Sequence, residues 1–261
     1  MTIVAVLGLG EAGGLLATDL AAAGATVQAF DPVVPRGDFH SDAEAVAGAS
    51  LILSVNSAAD AVAALRDSLP ALAPGAIWAD LNTATPALKE TLAGLFPRVV
   101  DVALMAPVPG RGLRTPMTAS GPAAAELAGV LGGFGATVTV LDGPVGAAAT
   151  RKLLRSVFYK GMAAAVVEAL DAARAAGLEE WLRGNIRDEL IRADAATLDR
   201  LVDGSHRHAV RRRDEMAAAT ELLGDLGVPP RVAAAARDVL AGLTHRQGLG
   251  GDLQQSLDGV A

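Results

Sequence analysis

Six residues near the start of the chain, Gly8-Leu9-Gly10-Glu11-Ala12-Gly13, limit its fold more than any other segment. They stand between the apolar run Ile3-Val4-Ala5-Val6-Leu7 and a stretch, Glu11 to Ala23, whose apolar residues recur at helical spacing. A short run that is apolar on both faces is the pattern of a central strand in a parallel sheet. In a glycine turn of this form Gly8 permits the tight turn, Gly10 lets a pyrophosphate approach the backbone, and Gly13 lets helix and strand pack closely. The N–H groups of Glu11, Ala12 and Gly13 then face the anion at the positive end of the helix. Thr26 to Phe30 reads as the next strand. It ends in Asp31, eighteen positions past Gly13, close to the ~20-residue offset at which a carboxylate accepts hydrogen bonds from an adenosine ribose. That carboxylate repels a 2′-phosphate and so favours NAD over NADP, with Arg36 as the counterweight. Asp31 before Pro32 is also what a simple turn would contain.

The alternation continues. Helices are expected at 43–49, 58–69, 86–95 and 123–131, and strands at 51–55, 76–81, 99–104 and 137–141. Strands alternating with helices imply an α/β, doubly wound parallel sheet of Rossmann type. After Gly143-Pro144 the strand pattern stops, and 145–176 is nearly unbroken helical pattern, too long for an ordinary globular helix. It is expected to bridge two domains, a dinucleotide-binding domain at 1–142 and an all-α domain at 143–261, in which Gly177, Gly184, Gly204, Gly227 and Pro229-Pro230 punctuate further helices. The tail from Gly248 is weakly patterned.

Bulk properties exclude several classes. A net charge of -7 with an aromatic share of only 3% gives no basic face to track a phosphate backbone, so no nucleic-acid partner is expected. No apolar stretch reaches the ~20 residues of a membrane helix, and Glu11 and Asp19 interrupt the apolar start, so neither membrane insertion nor an export signal is expected. The absence of cysteine removes disulfides and thiolate metal sites, and no metal centre is expected; a reducing cytoplasm is the default compartment.

In an open α/β sheet ligands sit beyond the carboxyl ends of the strands. The polar segments there are 54–57, 80–83 and 105–118. Asn56, Asn82 and Thr83 offer neutral donors to a nicotinamide ribose or a substrate carboxylate, or serve as caps and turns. Arg111 and Arg114 lie in a rigid Pro/Gly-rich loop. Lys152 falls in the first turns of the long helix with Ser156, Tyr159 and Lys160 on the same face. If that face looks into a cleft, desolvation and a second cation such as Lys160 lower its pKa and suit it to exchange a proton with a hydroxyl; a solvated surface lysine is the plainer alternative.

The turn Gly8–Gly13, the segment Asp80-Leu81-Asn82-Thr83-Ala84-Thr85-Pro86, Asp101-Val102-Ala103-Leu104-Met105, and Gly143-Pro144-Val145-Gly146 leading to Lys152 follow one another as in the β-hydroxyacid dehydrogenase and 6-phosphogluconate dehydrogenase superfamily. The chain resembles its 6-phosphogluconate dehydrogenase-like members with a distinct helical C-terminal domain. The resemblance implies a soluble NAD-dependent oxidoreductase, with NADP as the other cofactor, acting on a small anionic substrate as a homodimer, and makes Lys152 the general acid/base. It also marks departures. Met105-Ala106-Pro107 stands where a Ser-Gly-Gly turn holds the substrate carboxylate, Ser156 stands for an asparagine, and Tyr159 takes the place of a decarboxylating glutamate. Carboxylate recognition must therefore differ, and Tyr159 is a candidate proton donor. Two alternatives follow, imine reduction with Tyr159 as donor, and a cofactor-binding sensor without turnover.

His206, Arg207, His208, Arg211, Arg212 and Arg213 crowd into eight positions. They pair with acids such as Asp214 and Glu215, or, as the resemblance implies, His208 or Arg211 meets the anionic end of the substrate.

Overall fold

The computed structural model describes residues 2–34 and 39–258, with side chains as far as Thr244. Arg36 lies outside the described residues. Seven strands, β1 (Ile3–Leu7), β2 (Thr26–Phe30), β3 (Leu51–Ser54), β4 (Ile77–Asp80), β5 (Val99–Leu104), β6 (Met117–Ser120) and β7 (Val138–Val140), form one sheet of order β2-β1-β3-β4-β5-β6-β7.

Successive strand residues point to opposite faces, and here both faces are covered. Val4 and Val6 of β1 join a core with Leu16 and Leu20 of α1 (Glu11–Ala22) and Leu127 and Leu131 of α5 (Ala124–Gly133). Ala5 and Leu7 join another with Val46 of α2 (Asp42–Val46), Leu65 of α3 (Ala61–Ser68) and Leu92 of α4 (Pro86–Leu95). Strands β3 and β4 alternate likewise, Leu51, Leu53, Ile77 and Ala79 toward one core and Ile52 and Trp78 toward the other. This double winding is why the strands read as unbroken apolar runs. Burying each such leucine is worth about 1.5–3 kcal/mol, more than an exposed ion pair at about 0–1 kcal/mol, so these cores carry the stability of the sheet.

The doubly wound parallel sheet read from the sequence is present with one departure. β6 runs antiparallel to β5, with Leu104 opposite Met117 and Asp101 opposite Ser120, and β7 is parallel to β6. The loop expected over 105–118 therefore ends in a strand and includes a 3₁₀ turn at Gly112–Arg114. Leu113 N–H donates to Asp19 Oδ2 of α1 at 2.8 Å, which fixes that loop to the first helix.

The chain divides into two compact units, Met1–Val157 and Phe158–Ala261. Helix α6 (Ala147–Ala175) passes through the division. Asp142, the boundary read from the sequence, precedes that helix, so about three of its turns remain with the first unit. The second unit continues with α7 (Glu179–Arg192), α8 (Ala195–Arg207), α9 (Ala209–Asp225) and α10 (Arg231–Asp258). Ala172, Leu223 and Ala233 form its buried cluster, with Met216, Leu226 and Val228 packed against it. The Glu168 carboxylate of α6 caps α10, accepting from Val232 N–H and Ala233 N–H, each at 2.8 Å.

Gly184 and Gly204 do not punctuate this region. They lie inside α7 and α8, and the breaks come at Asp194, whose carboxylate accepts from Thr197 N–H at 2.9 Å as the N-cap of α8, and at His208. The weakly patterned tail is helical as far as Asp258. No helix among the described residues is long and apolar enough to cross a membrane.

Candidate functional site

The sheet order changes direction between β1 and β3, and the crevice beyond their carboxyl ends is where ligands of such sheets bind. Gly8 leaves β1 there with φ +92°, and a Cβ on it would stand 2.7 Å from the backbone of Asn56. A Cβ on Gly13 would stand 1.9 Å from the carbonyl oxygen of Gly8. These two glycines are therefore demanded by the protein's own packing. Gly10 is different. Nothing lies within 4 Å of where its Cβ would be, and its φ of -62° is open to any residue. As N-cap of α1 it offers no side-chain cap, so the first-turn N–H groups, including those of Glu11 and Ala12, face a space that the protein leaves open.

Asp31 fixes this turn. Its Oδ2 accepts from Leu9 N–H at 2.7 Å, and its Oδ1 accepts from Val33 and Val34 N–H at 2.8 and 3.0 Å. It thus serves the β2 turn as well as lining the crevice. Burial alone would raise its pKa, but the three N–H donors hold the carboxyl below its usual range. The crevice it lines has a volume of about 700 Å³ and also includes Gly8, Gly10, Asn56, Asp42 and Asp67. Asp42 was not singled out from the sequence. Burial, then the charges of Asp67 and Asp31, push its carboxyl up to about 6.

Asn56 and Asn82 come together at the ends of β3 and β4. Neither is a helix cap. Asn82 Nδ2 donates to Asn56 Oδ1 at 2.7 Å, to Asp80 Oδ1 at 2.5 Å and to Ser54 Oγ at 3.1 Å. Beneath them lies a residue that the sequence reading missed. Lys89 of α4 is fully buried, with Nζ 2.6 Å from Asp80 Oδ2, 2.9 Å from the Asp80 carbonyl and 3.2 Å from Asp101 Oδ1. The last contact is an ion pair without hydrogen-bond alignment, and Asp101 Oδ1 accepts no hydrogen bond. Asp80 and Asp101 are register partners on adjacent parallel strands, and like charges so placed repel. Burial raises the Asp80 pKa while Lys89 pulls it the other way. Asp101 Oδ2 in turn accepts from Gly146 and Ala149 N–H at 3.1 and 2.8 Å, at the start of α6. No local signal marks it, because Lys89 meets both Asp80 and Asp101 only through the register of β4 and β5.

Lys152 lies one turn further along α6 and is partly buried. Its pKa is lowered, first by burial and then by the charge of Lys89, with Asp101 opposing. The second cation that the sequence called for is Lys89; Lys160, the example given there, is exposed. Ser156 is partly buried. Tyr159, in the second unit, is 45% exposed and packs edge-on against Phe158 with ring centroids 5.0 Å apart.

Among the substrate candidates, Thr83 is exposed, and Met105 packs against the small apolar cluster of Ala103, Leu141 and Ala148. His208 sits at the break between α8 and α9, so the basic cluster is split over two helices and Arg207 and Arg211 do not share one helical face. Arg211 pairs with Glu215 and Arg213 with Asp214, the plainer of the two arrangements read from the sequence. Arg207, His208 and Arg211 line a shallow cleft of about 660 Å³ in the second unit.

Residues 173–243 match a family model described as a domain of unknown function, DUF1932. No curated protein matches the chain. Among solved structures, a conserved hypothetical protein from Sinorhizobium meliloti 1021 is 27% identical, over 92% of this chain and 88% of its own, with a TM-score of 0.60. The conserved protein MTH1747 of unknown function, described as structurally similar to 3-hydroxyacid dehydrogenases, is 25% identical over 93% of this chain and 98% of its own, with a TM-score of 0.58. An imine reductase from Myxococcus stipitatus in complex with NADP+ has a TM-score of 0.80 at 19% identity, over 94% and 95% of the two chains. At that identity the likeness is one of fold. The resemblance drawn from the sequence stands. The chain has the Rossmann-type sheet and helical second half of 3-hydroxyacid dehydrogenase-like proteins and imine reductases.

Proposed function

We propose that this chain is an NAD(P)-dependent oxidoreductase acting on a small, anionic hydroxy acid or related carbonyl compound. The observation that carries this reading is the glycine turn, in which packing requires glycine at positions 8 and 13 and leaves the space at Gly10 open. A cradle that a side chain would fill, at an uncapped helix N-terminus, fits a pyrophosphate. Asp31, with one lone-pair site of its carboxylate left after three N–H bonds, suits a ribose hydroxyl. Asp42 and Asp67 beside it make a 2′-phosphate unwelcome, which favours NAD, in contrast to the NADP+ held by the imine reductase of like fold.

A bound nicotinamide supplies or accepts the hydride. Lys152 takes the proton from the substrate hydroxyl in oxidation and returns it in reduction; a lysine held below its usual pKa is suited to both. Asn56 and Asn82, locked together through their amides, hold a fixed polar edge at the mouth of the crevice. Thr83 and Met105 border the substrate, and Ser156 and Tyr159 follow Lys152 along α6. We also infer a homodimer through the second unit. Helix α7 buries no residue of its own, and it leaves Trp181, Leu190 and Ile191 exposed, apolar side chains of the kind that a partner surface covers.

A second reading is imine reduction, favoured by the imine reductase fold and by Tyr159 in the place of an acidic residue. One variant tests the role of Lys152 in either reading. Lys152→Ala should retain cofactor affinity and lose turnover by about 10²–10⁴-fold on a panel of hydroxy acids, carbonyls and imines. Unchanged turnover removes Lys152 from the chemistry, and a parent inactive on the whole panel favours a cofactor-binding sensor.

A further inference from the structure

Two carboxylates in register on adjacent strands, Asp80 and Asp101, require a cation, and Lys89 supplies it from full burial. A buried pair of this kind is weak evidence for stability, because the desolvation of each charge offsets most of the attraction. Apolar residues of similar volume would serve packing as well or better. What the ionic arrangement does is connect. On one side Asp80 orients the Asn82 amide, which bonds Asn56 at the crevice. On the other side Asp101 receives Gly146 and Ala149 N–H, and Ser120 Oγ accepts from Ala148 N–H at 3.1 Å, so three amides at the start of α6 are bound to β5 and β6. Lys152 follows Ala149 by three residues, and no loop intervenes.

We propose that Lys89 is a positioning residue, whose ammonium joins the Asn56–Asn82 pair and the first turn of α6 into one charged unit that sets the place and electrostatic surroundings of Lys152. The inference rests on the reading of Lys152 as proton carrier and adds the residue that tunes it. The charged groups acting on Lys152 from the elements packed against it are Lys89 on α4 and Asp101 on β5; Arg151 and Arg155 flank it on its own helix. The effects of Lys89 and Asp101 are opposite in sign. A neighbouring cation favours the neutral amine, and a neighbouring carboxylate favours the ammonium.

The test needs no substrate, because the chain contains only three lysines, Lys89, Lys152 and Lys160. Full-length protein labelled at lysine Cε gives three NMR titrations, assigned by lysine-to-arginine variants. The double variant Asp80→Asn/Lys89→Met removes the cation but keeps the net charge of the triad, and should move the Lys152 midpoint upward. Asp101→Asn, which keeps Lys89 paired with Asp80, should move it downward, and Lys89→Arg should leave it near the parent value. A purely structural role would loosen the site in both variants and send both midpoints toward that of a solvated lysine. Shifts of the same sign, or no shift in either folded variant, overturn the proposal. Should the double variant not fold, the downward shift in Asp101→Asn decides alone. If the shifts occur but Lys152→Ala retains turnover, the functional reading fails while this coupling stands; if turnover depends on Lys152 but the midpoints do not move, the coupling fails.

Discussion

The backbone N–H of Leu9 donates to Asp31 Oδ2 at 2.7 Å, so the carboxylate at the end of β2 holds the middle of the glycine turn at the end of β1. One side chain thus shapes the glycine turn and lines the crevice beside it, where the proposed function puts the adenosine ribose. Asp31→Ala should weaken NADH binding by at least about tenfold, since a hydrogen bond to a charged group is worth about 1.5–3 kcal/mol. Isothermal titration calorimetry checks this, and an unchanged affinity would separate Asp31 from the cofactor.

The three glycines of the turn should respond differently. Gly10→Val enters open space and should leave the thermal midpoint within about 2 °C, as for a surface substitution, while abolishing cofactor binding. Gly13→Ala drives a methyl group into the Gly8 carbonyl and should lower the thermal midpoint whether or not cofactor is present. Differential scanning calorimetry with and without NADH distinguishes the two.

How much of this was legible depends on how local each cause is. The β1–turn–α1–β2 unit, Asp31 and the long helix before Ala175 could be read from the chain, because apolar periodicity and glycine placement are local signals. Strand β6 could not. Met117-Thr118-Ala119-Ser120 lacks the β-branched alternation of a strand, and it becomes one by pairing with β5. Gly184 and Gly204 misled, because tertiary packing tolerates glycine within a helix at about 1 kcal/mol each. Lys89 looked like any surface helix lysine. Its partners lie nine and twelve positions away, and only the β4–β5 register brings Asp80 and Asp101 together. Asp42 was hidden for the same reason, since its neighbours Asp31 and Asp67 converge only in the folded crevice.

Asp42 makes stability depend on pH. Burial and the charges of Asp67 and Asp31 push its folded-state pKa up to about 6, above its ordinary value of 3.8, so folding favours its protonated form. The stability this group contributes is full below pH 3.8 and is lost as pH rises from there through about 6. Asp42→Asn should therefore raise the thermal midpoint at pH 7.5 and leave it unchanged near pH 3.5. A gain of equal size at both values would contradict the assignment. The same variant should bring NADPH affinity closer to NADH affinity, because one charge facing the 2′-phosphate is gone.

Removing Lys89 alone should be costly. Lys89→Ala leaves Asp80 and Asp101 buried without their cation, and breaking a buried pair in this way costs about 3–5 kcal/mol. Urea denaturation measures it, and a loss below about 1 kcal/mol would mean that the two carboxylates are not both charged in the folded protein.

The central claim is that the crevice beyond β1 and β3 holds a nicotinamide dinucleotide, and direct titration of the purified chain with NADH and NADPH tests it. The account predicts saturable binding of NADH, weaker binding of NADPH, and loss of both in Gly10→Val with the fold intact. Absence of saturable binding for either cofactor, or binding undiminished by valine at position 10, would contradict it.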